Sequence, residues 1–268
     1  MSLLDVTPRP PRPLAVITGA SSGIGAMYAR KLASRYDLIL VARRQDKLYQ
    51  LAREISPATG AKIDVLAVDL STHSGIEVVA ARLALETQFE LLINNAGFGT
   101  KGLFWASPLG PQLEMVRLHI TATTRLSHAA LQFLVPKNRG GIINVASVAS
   151  FVRGAGSAGY AASKSWMTAF TEGLAIELAT AKSAVTVQAL CPGFTYSEFH
   201  DAAAINRDER APKSLWLTAE QVVDQSLADF AARKLYSVPG WRYRLLVALA
   251  TKLPWRWRVA LETRRKAG

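Results

Sequence analysis

A glycine-rich turn carries the clearest chemistry in the chain: residues 18–25 read TGASSGIG and lie between an apolar run and an amphipathic one. Glycine allows a tight turn and brings backbone N–H groups close to a pyrophosphate, and the dipole of a following helix attracts negative charge. The spacing is G-x-x-x-G-x-G rather than G-x-G-x-x-G, so the position between strand and helix gives the motif its weight. We predict a dinucleotide site whose phosphates contact Gly19, Ser21, Ser22, Gly23, Ile24 and Gly25.

The same turn has a second interpretation. Residues 19–23 also satisfy G-x-S-x-G, the nucleophile elbow of α/β-hydrolases, which would make Ser21 a nucleophile. That chemistry needs a downstream acid and a histidine, and only His200 of the four histidines follows a late strand. An elbow after the first strand also leaves no earlier strand to supply an oxyanion-hole loop. We therefore favour the dinucleotide site.

A second pattern suits acid–base chemistry. Tyr160 and Lys164 are four residues apart on a predicted helix, and therefore share one face. A neighbouring ammonium stabilises a phenolate, so we expect Lys164 to lower the tyrosine pKa from its usual value of about 10. Ser147 ends a predicted strand, from which its hydroxyl could hydrogen-bond a developing alkoxide.

Short aliphatic runs alternate with longer amphipathic stretches around these motifs. The predicted strands are 14–18, 38–42, 63–68, 91–93, 142–145, 185–190 and 235–238, and the predicted helices are 23–35, 45–55, 74–86, 111–135 and 157–180. Continuous rather than alternating apolar strands indicate a parallel sheet buried on both faces, and right-handed crossovers make it doubly wound. We predict the α/β class: a single Rossmann-type domain with a mostly parallel seven-stranded sheet.

We place this domain at residues 14–240, after a flexible leader at 1–13 and before a basic helical extension at 241–268. Segment 194–218 interrupts the alternation with mixed polarity and a charged middle. Long irregular excursions at strand ends are typical of lids and substrate loops, with a disordered surface loop as the alternative.

Taken together, the motifs resemble those of the short-chain dehydrogenase/reductase family. They are TGASSGIG at 18–25, NNAG at 94–97, Ser147, Tyr160, Lys164 and Pro192-Gly193. The resemblance implies an oxidoreductase that uses a nicotinamide cofactor, most similar to general ketoreductases and 3-oxoacyl reductases. It implies Tyr160 as general acid and base, Ser147 as the residue that stabilises the substrate oxygen, and Lys164 as the partner of both Tyr160 and the nicotinamide ribose.

The resemblance implies further cofactor contacts. Asn95, Ala96 and Gly97 would lie along the cofactor, with Asp69 and Leu70 beside the adenine. The nicotinamide end would meet Pro192, Gly193, Ser197 and, as the fallback hydroxyl, Thr195.

His119 departs from the family pattern, because it aligns where many relatives carry an asparagine that holds a water in a proton path. A histidine both donates and accepts hydrogen bonds and titrates near neutrality, so His119 could act as a relay. A buried structural histidine, or an alignment displaced by one turn, is the alternative. His119 is also the only sequence support for a non-catalytic nucleotide-binding or membrane-associated protein that kept the fold.

The end of the second predicted strand bears on which nicotinamide cofactor is used. The strand ends in Ala42-Arg43-Arg44, with no acid to bind the ribose hydroxyls. A guanidinium grips a phosphate bidentately, so NADP(H) is favoured. We expect Arg43 to be the main contact with the 2′-phosphate and Arg44 to be the more solvated of the two.

Composition excludes several classes of protein. The chain has 268 residues, of which 50% are hydrophobic and 8% aromatic, which excludes global disorder. A single cysteine excludes a disulfide framework, and the four histidines show no metal-ligand spacing. The N-terminus MSLLDVTPRPPRP lacks the apolar core of a signal peptide, so we expect a cytoplasmic protein.

The net charge of +12 is concentrated at one end, because residues 233–268 hold ten basic side chains and one acid, a net +9. Three of the six tryptophans lie there beside arginines. A helix packed over the substrate pocket or a subunit interface is the preferred interpretation. Weak contact with a membrane surface is the alternative, and nucleic-acid binding ranks last because no such module is present.

Clustered aromatic residues indicate an apolar substrate. They are Phe98, Phe104, Trp105, Phe194, Tyr196, Phe199 and Trp216, which lie in the segment after NNAG and in 194–218. We expect a hydrophobic carbonyl or alcohol as substrate and a homo-oligomeric protein, although some of these residues could serve only the core or subunit contacts.

Overall fold

The computed structural model describes residues 12–100, 102–196, 212–254, 256–257, 259–260 and 263. The strands are β1 Leu14–Thr18, β2 Asp37–Ala42, β3 Ile63–Ala67, β4 Phe89–Asn94, β5 Gly141–Val145, β6 Thr186–Leu190, β7 Thr195–Tyr196, β8 Leu217–Thr218 and β9 Tyr236–Ser237. The helices are α1 Gly23–Leu32, α2 Gln45–Thr59, α3 His73–Leu85, α4 Leu109–Val116, α5 Thr123–Lys137, α6 Ala158–Thr180, α7 Ala219–Ala231 and α8 Trp241–Lys252.

Seven strands form one sheet in the order β3-β2-β1-β4-β5-β6-β9, and each neighbouring pair is parallel. The predicted α/β class and doubly wound sheet are therefore confirmed. The chain leaves β1 toward β2 on one side and returns to β4 on the other. This reversal opens a crevice at the carboxyl ends of β1 and β4, where ligands bind in folds of this kind.

Alternate residues of each strand enter two separate cores, which explains why the strands are continuously apolar. Ala15 and Ile17 point into the core under α1, α2 and α7, whereas Leu14 and Val16 point into the core under α3, α5 and α6. Both faces of the sheet are thus covered by helices, and the polar ends of the strands are left to form the site.

The sequence prediction missed α7 and the break in the long fourth helix. That helix was predicted over 111–135, but a π-helical turn at Arg117–Ala122 separates α4 from α5. Helix α7 begins with a capping box: the Thr218 hydroxyl accepts the N–H of Gln221, and the side-chain oxygen of Gln221 accepts the N–H of Thr218. The T-x-x-Q spacing was the signal that could have found it.

The segment predicted as a lid has a small ordered base. Strands β7 and β8 pair in parallel at its two ends, where no strong strand was expected. Residues 197–211, which include Ser197, Phe199 and His200, lie outside the described residues.

The folded body begins before the predicted boundary at residue 14. Residues 1–11 lie outside the described residues, but Arg12 donates a hydrogen bond of 3.1 Å to the Thr59 carbonyl and lies 3.8 Å from the Asp37 carboxylate. The Pro13 carbonyl accepts a hydrogen bond from the Asp37 N–H. Residues 12 and 13 therefore belong to the folded body rather than to a flexible leader.

Candidate active site

The glycine turn forms a closely packed phosphate cradle at the end of β1. Gly19 and Gly23 have φ angles of +65° and +56°, in the left-handed region that favours glycine. A Cβ on Gly25 would lie 2.4 Å from the Gly19 carbonyl oxygen, so only glycine fits there. Helix α1 begins at Gly23, and its first N–H groups face the turn. This geometry fits the pyrophosphate of a dinucleotide.

Asn95 holds the turn in place from the neighbouring strand. Its amide nitrogen donates to the carbonyls of Thr18 and Gly19 at 2.9 and 3.1 Å. The Thr18 hydroxyl in turn accepts the N–H groups of Asn95 and Ala96 at 2.9 and 3.0 Å. The ends of β1 and β4 are thus fastened together at the crevice. Asn95 therefore shapes the phosphate turn with its side chain, a role the sequence did not predict.

Ser147, Tyr160 and Lys164 come together at the carboxyl edge of β5. Ser147 follows that strand, and its hydroxyl accepts the N–H of Ala149 at 3.1 Å and hydrogen-bonds the Tyr160 phenol. Tyr160 lies in the first turn of α6, and Lys164 lies one turn later. The Lys164 ammonium donates to the Val145 carbonyl at 2.7 Å. The grouping predicted from spacing is therefore present in the fold.

The electrostatics of this group differ from the prediction. Burial raises the pKa of Tyr160 to about 12, and the hydrogen bond from Ser147 only partly opposes it. Burial also lowers the pKa of Lys164 to about 7, partly opposed by the Cys191 thiol. The Lys164 ammonium donates to the Val145 carbonyl, and its expected effect on the pKa of Tyr160 stays a prediction.

His119 lies fully buried on the π-helical turn, beside the tyrosine. Its Nδ1 is 2.9 Å from the Ser163 hydroxyl, whose proton goes to the Tyr160 carbonyl. We therefore assign the proton to Nδ1, which leaves Nε2 as an acceptor without a partner among the described residues. Burial, reinforced by the charge of Lys164, holds the pKa of His119 well below its usual value, so the ring is neutral.

The free acceptor of His119 and the ammonium of Lys164 face one small space. A Cβ on Gly97 would lie 2.6 Å from His119 Nε2 and 3.6 Å from Lys164 Nζ. The ring centroids of His119 and Tyr160 are 6.0 Å apart. Gly97 thus keeps open the space between a neutral acceptor and the buried lysine, next to the proton-carrying tyrosine.

With this geometry established, comparison with known proteins decides the family. A model of the family described as "short chain dehydrogenase" matches residues 13–208. The chain belongs to the short-chain dehydrogenase family. This result, together with the turn's role at the crevice, leaves no support for Ser21 as the nucleophile of a hydrolase.

Individual relatives span most of this short-chain dehydrogenase. The 1,6-dihydroxycyclohexa-2,4-diene-1-carboxylate dehydrogenase of Pseudomonas putida is 34% identical over 247 residues, which is 89% of this chain and 86% of that protein. A short-chain dehydrogenase from Sphingobium yanoikuyae, solved in complex with NADPH, is 32% identical with a TM-score of 0.81 and covers 91% of this chain and 97% of its own. The bulky-bulky ketone specific alcohol dehydrogenase of Comamonas testosteroni is 31% identical with a TM-score of 0.76, covering 95% and 93%. The chain is thus an oxidoreductase that uses a nicotinamide cofactor.

The two arginines after β2 have different surroundings. Arg44 donates to the hydroxyls of Ser21 and Ser22 at 2.9 and 3.0 Å, which places its guanidinium at the glycine turn. Arg43 is 70% exposed and lies 3.7 Å from the Asp69 carboxylate. Arg44 therefore lies at the glycine turn and Arg43 does not, and which of them contacts a 2′-phosphate stays a prediction.

The two residues expected beside the adenine differ in exposure. The Asp69 carboxylate accepts hydrogen bonds from the Ser71 N–H and hydroxyl at 2.8 and 2.7 Å. Leu70 is buried in the core under α3. Their contact with an adenine ring stays a prediction.

Tyr243, from the C-terminal helix, is a structural contact that the sequence did not reveal. Its ring packs against Gly193, where a Cβ would lie 2.0 Å from the Tyr243 ring. Its hydroxyl accepts the Phe194 N–H at 2.9 Å and donates to the Leu215 carbonyl at 2.6 Å. Tyr243 thus joins both flanks of segment 197–211, next to the expected nicotinamide end. A lone tyrosine on one face of a Trp/Arg-rich helix was the signal available.

Of the remaining residues expected at the nicotinamide end, the structure describes Pro192, Gly193 and Thr195 but not Ser197. Pro192 and Gly193 follow β6 at the carboxyl edge of the sheet. Thr195 is buried, and its hydroxyl donates to the Gly193 carbonyl at 3.1 Å. Ser197 lies outside the described residues, so the choice between these two hydroxyls stays a prediction.

Proposed function

We propose that this short-chain dehydrogenase is an NADP(H)-dependent reductase of hydrophobic carbonyl compounds. The observation that carries the proposal is the grouping of Ser147, Tyr160 and Lys164 beside a phosphate cradle in one crevice. A nicotinamide held there supplies the hydride, and the chain's own residues handle the proton. The described residues contain no group of three or more His, Cys, Asp or Glu side chains that could hold a metal ion.

In the proposed reductive direction the tyrosine acts as the proton donor. With a pKa of about 12, Tyr160 is protonated at neutral pH and serves as the acid. It donates its proton to the substrate oxygen as negative charge develops, while Ser147 hydrogen-bonds that oxygen. Lys164 would hold the ribose, and we assign His119 Nε2 as an acceptor for the lysine N–H. His119 would then be a positioning residue that offers Lys164 a second acceptor besides the Val145 carbonyl.

Preference for NADP(H) is supported by the position of Arg44. Its guanidinium lies on the hydroxyls of Ser21 and Ser22, at the carboxyl ends of β1 and β2. A 2′-phosphate entering there would meet a fixed positive charge and two hydroxyl groups. Among the described residues at the end of β2 there is no acid that would instead bind the free ribose hydroxyls.

Apolar side chains around the crevice support a hydrophobic substrate. Phe98 lies 6.4 Å from His119 between ring centroids, on the catalytic side. Trp216 packs against Phe194 and Tyr196 at 5.3 and 5.0 Å, at the base of segment 197–211. The similarity to a Comamonas enzyme named for bulky-bulky ketones supports the same class of substrate.

The test is NADPH oxidation over a panel of carbonyl compounds, from small polar aldehydes to aryl ketones, 3-oxoacyl esters and keto steroids. We expect kcat/KM to be greatest for large apolar ketones. Tyr160→Phe should abolish turnover while NADPH binding persists, and His119→Asn should retain activity because many relatives carry an asparagine at this position. A preference for small polar carbonyls would contradict the substrate class. Tight NADPH binding without turnover over the whole panel would favour the non-catalytic alternative.

A further inference from the structure

Helix α8 is packed on one side only and leaves an apolar row on the other. Tyr243 and Ala250 are 3% and 9% exposed and face the body. Trp241, Leu245 and Leu249 follow at spacings of four residues and are 61%, 53% and 57% exposed. Residues so spaced lie on one face of a helix. Three large apolar side chains in one row are therefore not covered by any described part of the chain.

Basic side chains border this row. At 3.6 residues per turn, Arg242 and Arg244 lie on opposite flanks of it and Lys252 lies at its end. The Arg242 guanidinium lies 5.1 Å from the centre of the Trp241 ring. The same composition continues in Arg256 and Trp257, both exposed. The surface around the row thus has one sign of charge.

We propose that α8 is a docking surface for an anionic membrane. An apolar row with tryptophan and basic flanks is the composition of a helix that lies in a lipid interface. The net charge of +9 over residues 233–268 complements anionic headgroups, whereas a second copy of this chain would bring an equal positive charge against it. The helix lies on the membrane rather than across it, since no described helix is long and apolar enough to span one.

Docking of α8 goes beyond the proposed function and does not depend on it, whereas delivery of a hydrophobic carbonyl from the bilayer rests on that function. Tyr243 connects α8 to both flanks of segment 197–211, so the docked helix would hold the rim of the crevice at the lipid surface. A hydrophobic carbonyl dissolved in the bilayer would then reach the site without crossing water. The expected ligand of α8 is the headgroup and interfacial layer itself, not the substrate.

The experiment is co-sedimentation of the full chain with vesicles of phosphatidylcholine alone or mixed with phosphatidylglycerol. We expect binding only to the mixed vesicles, with release as the salt concentration rises toward 1 M, where screening acts over about 3 Å. Leu245→Glu with Leu249→Glu should reduce the binding constant at least tenfold. Lys252→Gln should reduce it about fivefold, as expected for one basic side chain near an anionic surface. Leu85→Glu on α3, a residue 77% exposed, is the matched control and should bind as wild type does.

Three results would overturn the proposal. One is equal binding to both kinds of vesicle, and another is unchanged binding of the Leu245/Leu249 variant. The third is a wild-type protein that does not bind vesicles but forms a dimer in solution, while the Leu245/Leu249 variant is a monomer. That result would mean that a second copy of the chain covers the row. Thermal unfolding and NADPH oxidation of a water-soluble ketone should match wild type in every variant, which separates loss of docking from loss of folding or activity.

Discussion

Burial shifts the pKa values of Tyr160 and Lys164, which share one face of α6, in opposite directions. The phenol of Tyr160 has a pKa of about 12, and the ammonium of Lys164 has a pKa of about 7. Isolated tyrosine and lysine side chains would titrate within about half a pH unit of each other. Lys164 is consequently the group of the pair whose charge changes near neutral pH, and Tyr160 stays a proton donor.

The titration of Lys164 predicts how stability depends on pH. Its pKa is about 7 in the folded chain and about 10.4 in an unfolded one, so the unfolded state binds more protons between these pH values. Stability contributed by this group therefore rises with pH across that window, by about 1.4 kcal/mol per pH unit at most. We expect the free energy of unfolding of wild type, relative to Lys164→Met, to increase from pH 7 to 10 in urea titrations. Parallel pH curves for the two proteins would contradict the assignment.

Arg44 and Arg43 form a matched pair for testing cofactor choice. Arg44 contacts the hydroxyls of the glycine turn, whereas Arg43 faces Asp69. We expect Arg44→Ala to lower the ratio of kcat/KM for NADPH over NADH by about tenfold or more, the effect of losing one charge-assisted hydrogen bond. Arg43→Ala should change this ratio little. The opposite ranking of the two variants would restore Arg43 as the phosphate contact.

At the scale of elements, the strands were predictable and the break in the fourth helix was not. The run Leu14–Thr18 is apolar at its first four residues without alternation, and only a strand buried on both faces needs that pattern. The π-helical turn at Arg117–Ala122 has no comparable signature, because it differs from an α-helix by hydrogen-bond register and not by hydrophobic period. That turn carries His119 into the site. The sequence alone could therefore place His119 only by alignment.

Tyr243 gives an element-scale prediction, because one hydroxyl joins α8 to the two flanks of segment 197–211. Tyr243→Phe removes both hydrogen bonds and leaves the Phe194 N–H to find another partner. We expect KM for the carbonyl substrate to rise severalfold with a smaller change in kcat, and NADPH affinity to stay near wild type. Tyr49→Phe, on an exposed residue of α2, is the control and should change neither constant. A fall in kcat at unchanged KM would place Tyr243 outside substrate positioning.

At the scale of the whole molecule, the motifs of the site and most of the net charge lie in different parts of the chain. The first 232 residues have a net charge of only +3, and they contain every motif of the site. The ordered motifs were enough to predict Ser147, Tyr160 and Lys164 because spacing along the chain becomes position at a sheet edge. The roles of Arg44 and Tyr243 depend on contacts between residues 22 and 49 positions apart, which no local pattern encodes.

Helix α8 is nevertheless packed on the folded body, which leads to the last prediction. Tyr243 packs on Gly193 and is 3% exposed, so a chain ending at Gly240 loses a buried aromatic anchor. Burial of one large side chain contributes about 2–3 kcal/mol, which for a protein of this size corresponds to a fall in Tm of about 5 °C or more. A chain ending at Pro254 retains α8 and should unfold near the wild-type Tm. Thermal unfolding of the two truncated chains checks this, and equal Tm values for both would mean that α8 adds no stability to the body.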